Sequence, residues 1–159
     1  MNYQISDDVR KRRRKELQVL HEILESGEKL KIAVSGRVEP VSVLFAVTDK
    51  RAIAIAKTSP FSTMVMDYPL EIIQNISYKK GFLYSSLFFK HKGGFECITS
   101  IANFEIDLVV QALSKARDSV LSAGNTHSVA DEIRKFKSLL DDGIITQEEF
   151  QKKKHELLQ

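Results

Sequence analysis

Between residues 28 and 100 the apolar side chains recur at every second position; from residue 103 they recur every three or four. This change of period most constrains the fold, because alternation buries one face of a strand and a 3.6-residue repeat one face of a helix. Leu30, Ile32 and Val34 alternate with Lys29, Lys31 and Ala33, and residues 36–40 read as a turn. Val43, Phe45 and Val47 share one face of the next strand, with Leu44 and Ala46 opposite. Thr48-Asp49-Lys50 is a tight turn, and Arg51 opens a third strand through Ile53 and Ile55. Ser59-Pro60 turns the chain toward Met64, Met66 and Tyr68, where Pro69, lacking an amide donor, interrupts pairing. Ile76 and Tyr78 begin another strand, broken at Gly81. Two last strands, 83–90 and 95–100, face each other across His91-Lys92-Gly93-Gly94, whose glycines suit positive φ. About seven short strands at this spacing predict a small antiparallel barrel or sandwich. The helix over 103–122, capped by Asn103, lines up Ile106, Val109, Val110, Leu113, Ala116 and Val120. Such a stripe needs a sheet to cover.

Both ends add helices. Ser6 is a suitable N-cap for a charged helix over 6–26, with Asp7 and Asp8 in its first turn and a stripe of Leu17, Leu20 and Leu24. At the other end, Gly124 to Ser128 read as a short linker before two helices around one turn. Val129, Ile133, Phe136 and Leu140 share a face of the first, and Gly143 suits the left-handed position after its end. Thr146 opens the second, with Glu149 three residues on completing a capping box. About thirty residues bury too little surface to offset chain entropy. This hairpin is therefore expected to dock on its own chain, a second copy or a partner, through Ile133, Phe136, Leu140, Ile144, Ile145, Phe150 and Leu157.

The tail residues Leu139-Leu140-Asp141-Asp142-Gly143-Ile144-Ile145-Thr146-Gln147-Glu148-Glu149-Phe150, followed by Lys154, Leu157 and Leu158, closely resemble the SHOCT (short C-terminal) domain of bacterial and phage proteins. That resemblance implies a role in oligomerisation or protein contact and no catalytic residues. The middle of the chain resembles the bacterial PH-like domains, specifically the YokE-like group. The matching residues are Ser26-Gly27-Glu28, Ala46-Val47-Thr48-Asp49-Lys50-Arg51 and Tyr68-Pro69-Leu70-Glu71-Ile72-Ile73. The resemblance implies an α+β fold: a PH-like seven-stranded antiparallel barrel with a covering C-terminal helix. The expected organisation is an N-terminal helix over 1–26, the PH-like domain over 27–123, a linker over 124–128 and the SHOCT-like hairpin over 129–159. Bacterial and prophage proteins share this arrangement.

Residues 10–15 are RKRRRK. They read as a solvated helix face, or as an arm for an anionic membrane or nucleic acid. Asp7, Asp8, Glu16 and Glu22 offset part of the charge, and Arg13 falls on the apolar stripe, where its stem can lie along a sheet. The candidate anion or lipid contacts are Arg12, Arg13, Arg14, Lys29, Lys31, Arg37, Lys79 and Lys80. A eukaryotic-type phosphoinositide site needs cations clustered on the first two strands. Glu39 and Pro40 follow Arg37 with no second arginine, which argues against one.

The chemistry of an enzyme is missing from the pattern. His21, His91, His127 and His155 are scattered, with no metal-ligand spacing. The lone Cys97 sits mid-strand without a nearby base and reads as a small hydrophobe. Gly93-Gly94 is a hairpin tip, not a phosphate loop. No metal or other cofactor is expected. No apolar run approaches bilayer length, the N-terminus is polar, and one cysteine suits a reducing compartment, so a cytoplasmic or membrane-peripheral setting is expected. The net charge of +3 does not call for a polyanion partner. The reading is thus a non-catalytic protein-interaction module pair forming a homo-oligomer or binding another protein, with peripheral binding to anionic lipid, or to nucleic acid, through basic residues of the N-terminal helix and barrel loops as the alternative.

Overall fold

A computed structural model describes residues 4–59, 61–125 and 129–158. Pro60 of the expected turn and residues 126–128 of the expected linker, His127 among them, lie outside the described residues. The chain divides into two compact units, Met1–Val120 and Leu121–Gln159.

The first unit is built on strands β1 (Gln4–Ile5), β2 (Leu30–Val38), β3 (Val41–Thr48), β4 (Arg51–Ser59), β5 (Ser62–Pro69), β6 (Gln74–Lys80), β7 (Tyr84–His91) and β8 (Gly94–Ala102). The seven long strands run antiparallel in the order β5-β4-β3-β2-β8-β7-β6, and β1 adds in parallel to β2. The two halves of the sheet join where β2 meets β8, with Arg37 opposite Thr99. Gly36 belongs to β2 and is not part of a turn, as 36–40 had suggested. A Cβ there would lie 2.7 Å from Ile98 Cγ2, so the crossing of the halves requires a residue without a side chain.

Helix α3 (Asn103–Asn125) covers the concave side of the sheet through Ile106, Val109, Leu113 and Ala116. They close over Phe45, Leu70, Leu87, Phe89, Ile98 and Ile101, all fully buried. Phe89 takes the Tyr68 ring edge-on at 5.2 Å. Each such side chain removed from water contributes roughly 1.5–3 kcal/mol.

The outer face of β2, β3 and β4 is buried as well. Ala33, Leu44, Ala46, Ile53 and Ile55 pack under Val9 and Leu20 of the N-terminal helices. The single helix expected over 6–26 is two: α1 (Asp7–Arg12), capped by Ser6, and α2 (Arg14–Ile23). The run RKRRRK sets like charges three and four residues apart, which weakens a continuous helix. Arg13 takes up the break, lying inward with Nε donating to Ser35 Oγ at 3.3 Å and Nη1 to Glu16 Oε1 at 3.4 Å.

The second unit contains α4 (Val129–Asp141) and α5 (Gln147–Leu157). The Gly143 amide donates to the Leu140 carbonyl and the Ile144 amide to that of Leu139, the paired bonds of a Schellman stop, with Gly143 at φ +71°. Thr146 and Glu149 form the expected capping box, each side chain accepting from the other's amide, at 3.3 and 2.8 Å.

Candidate functional site

The hairpin leaves most of its apolar side chains only partly covered. Phe150 is buried, at 8% exposure. Ile133, Phe136, Leu139, Leu140, Ile145 and Leu157 are half-buried. Ile144 and Leu158 are 67% and 63% exposed. Its stop and cap fix where these side chains project, because both helix ends have their backbone groups satisfied.

The candidate cations do not form one site. Arg12 pairs with Asp8 at 2.7 Å. Arg13 is turned inward, as described above, and Arg14 is exposed. Arg37 Nη2 is held by the Pro40 carbonyl at 2.9 Å and by Glu39 at 3.2 Å. Lys29 and Lys31 are exposed at the start of β2, where the Lys29 amide donates to Asp49. Lys79 and Lys80 end β6, and Lys80 reaches Asp107 of α3 at 2.7 Å. Cys97 is half-buried in β8, and burial pushes its thiol up, away from the thiolate a nucleophile needs.

One buried polar cluster was not expected from composition. Glu28, just before β2, is gripped by Arg51 of β4 through two parallel bonds, Nε to Oε1 and Nη2 to Oε2, each 3.0 Å. Thr48 Oγ1 donates to the same carboxylate at 2.7 Å. Arg51 also donates to Asp67 of β5 at 2.6 Å and to the Ile23 carbonyl at the end of α2 at 2.8 Å. Burial would raise the Glu28 carboxyl, but Arg51, the Glu25 amide and Thr48 outweigh it and hold it down at about 2. This clasp ties α2, β4 and β5 to the entry of β2.

Residues 24–115, more than half of the chain, match the family described as the bacterial PH domain (bPH_3). The chain belongs to the bacterial PH domain family. Residues 131–158 match SHOCT, the short C-terminal domain. Among solved structures, the chain is similar to a pleckstrin homology domain from Shewanella amazonensis SB2B, at 21% identity, TM-score 0.42, covering 60% of this chain and 82% of that one. It is also similar to a DUF1696 family protein with a pleckstrin-homology domain from Shewanella loihica PV-4, at 17% identity, TM-score 0.46, covering 72% and 99%. Among curated proteins none matches. Neither match suggests catalysis.

Two features of this PH domain escaped the sequence reading. The side chain of Asn103 does not cap α3. Its amide nitrogen donates to the carbonyls of Gly81 and Phe82, at 3.0 and 3.1 Å, and its oxygen accepts from Ser85 at 2.6 Å. The turn it holds presents Phe82, Leu83 and Tyr84 outward beside Phe104. The signal was the apolar run Phe82-Leu83-Tyr84 directly after Gly81, which reads as strand until the turn is seen to fall on it. Among the described residues no helix is long and apolar enough to cross a membrane.

Proposed function

We propose that this protein is a non-catalytic interaction protein in which the PH domain is the scaffold and the SHOCT hairpin the docking element, joining copies of the chain or binding another protein. One observation carries the reading: of the hairpin's apolar side chains from Ile133 to Leu158, Phe150 alone is buried. A helix pair whose ends are capped but whose apolar face stays open gains by covering it. Each Phe or Leu buried on docking contributes roughly 1.5–3 kcal/mol, so a few offset the cost of association. The finer placement in the YokE-like group, with a bacterial or prophage setting in the cytoplasm, is part of the same reading and is supported by the order of the three sequence motifs. The alternative, lipid binding through Arg12, Arg13 and Arg37, loses support because these three are already engaged by the protein.

Deleting residues 126–159 tests self-association. Light scattering across a concentration series is expected to show the full chain as an oligomer and the shortened chain at monomer mass, with a retained cooperative melt. A mass unchanged by the deletion refutes self-association through the hairpin.

A further inference from the structure

The β6–β7 turn and the first turn of α3 build a convex apolar tip. Phe82 is 96% exposed and Phe104 72%, and Leu83 and Tyr84 stand beside them with more than half of their surface in water. Exposed large apolar side chains gathered at one end of a domain are unusual for a surface that meets only solvent. The tip is also rigid at its base, because Asn103 fastens the turn to the start of α3 through three hydrogen bonds. Ordering it on contact therefore costs little.

Charge decides what it fits. Lys79 and Lys80 immediately precede the turn, and Tyr78 lies under the Lys80 ammonium at 5.8 Å. On the other side Phe104 and Leu108 share a groove with Ile5, Ser6 and the buried carboxyl group of Glu105. Ile5 accepts a hydrogen bond from Arg10. Asp107 offsets Lys80, and Asp8 offsets Arg12. Lys79 and Arg10 have no carboxylate partner among the described residues. An apolar point behind which stand cations and tyrosines matches a lipid interface, where rings enter the acyl boundary and ammonium groups stay with anionic headgroups.

We infer that this tip inserts into the surface of membranes containing anionic lipid, with Phe82, Leu83 and Phe104 as the wedge and Lys79 as the headgroup contact. The inference stands on the PH domain alone and does not depend on the hairpin reading.

The full chain is mixed with vesicles of phosphatidylcholine, with and without about 30% phosphatidylserine, and sedimented at low and high salt. Binding to the serine-containing vesicles is expected, with less on phosphatidylcholine alone and less at high salt. Phe82→Ser with Leu83→Ser, both exposed and outside the core, is expected to weaken partition at least about tenfold. Phe104→Ser is expected to act in the same direction, and each variant keeps its circular dichroism spectrum. Absence of sedimentation with serine-containing vesicles overturns the inference, as does binding that the wedge variants leave unchanged. A fall in solution mass on Phe82→Ser with Leu83→Ser, without vesicle binding by the wild type, assigns the tip to a protein contact and overturns it as well.

Discussion

Replacing Glu28 by Gln removes the charge at the centre of the clasp while keeping its shape. Its carboxyl, ordinarily near 4.5, is held at about 2 in the folded chain. At about 1.4 kcal/mol per pH unit, that preference for the charged form stabilises the fold by about 3 kcal/mol at neutral pH. The sign follows from the lowered value. The contribution is fully present above 4.5, where the carboxyl is ionised folded and unfolded alike, and it is lost as pH falls through the folded value. By the same linkage it shrinks to about 1 kcal/mol at pH 3. Urea denaturation of wild type and Glu28→Gln, followed by circular dichroism, is therefore expected to show a stability gap of up to about 3 kcal/mol at pH 7 that narrows to about 1 kcal/mol at pH 3. Because Arg51 keeps Asp67 and the Ile23 carbonyl, the gap at pH 7 is not expected to exceed the range for a broken buried pair, about 3–5 kcal/mol. A gap that is equal at the two pH values refutes the argument, because packing and not ionisation would then be at stake.

Gly36→Ala forces a methyl group against Ile98 Cγ2 at 2.7 Å and the Thr99 carbonyl at 3.2 Å. It is expected to cost about 1–3 kcal/mol in urea unfolding of the PH domain, and a loss under about 0.5 kcal/mol would show that β2 and β8 have room to part. Thr146→Ala removes one half of the capping box and is expected to cost the hairpin about 1 kcal/mol, read as faster amide exchange in α5 with α3 unaffected.

The strands and the tail were legible because their signals are local. Alternation placed β2 to β8, and Gly143, Thr146 and Glu149 marked the hairpin's stop and start within a few residues. What stayed hidden needed partners distant in sequence. Leu44 and Ala46 belong to an unbroken apolar run, and unbroken runs go with strands covered on both sides, yet only the packed helices show what covers them. The RKRRRK run weakens the helix locally, but that Arg13 lies inward at the break shows only in its bond to Ser35 on β2, twenty-two residues away. Gly36 sits beside Glu39 and Pro40 and so reads as the start of a turn, although its role is to let β8 cross. Asn103 has the composition of a cap, and its actual partners lie about twenty residues back. The candidate cations are a different case. Here the partners were near in sequence: Asp8 for Arg12, Glu16 for Arg13, Glu39 and Pro40 for Arg37, and the structure adds which arginine each one holds. The clasp shows the converse. Glu28 lies in one motif of the family resemblance and Thr48 and Arg51 in another, and folding makes them one hydrogen-bonded object.

The doubly covered sheet bears on how the molecule can be dissected. A fragment trimmed to the family match would begin at residue 24 and discard α1 and α2. It would strip the roof from Ala33, Leu44, Ala46, Ile53 and Ile55, turning an interior into a flat, greasy exterior on which identical fragments would stick to one another. The recognisable domain is thus smaller than the one whose apolar faces are all covered: the twenty-odd residues ahead of the family match form part of its interior.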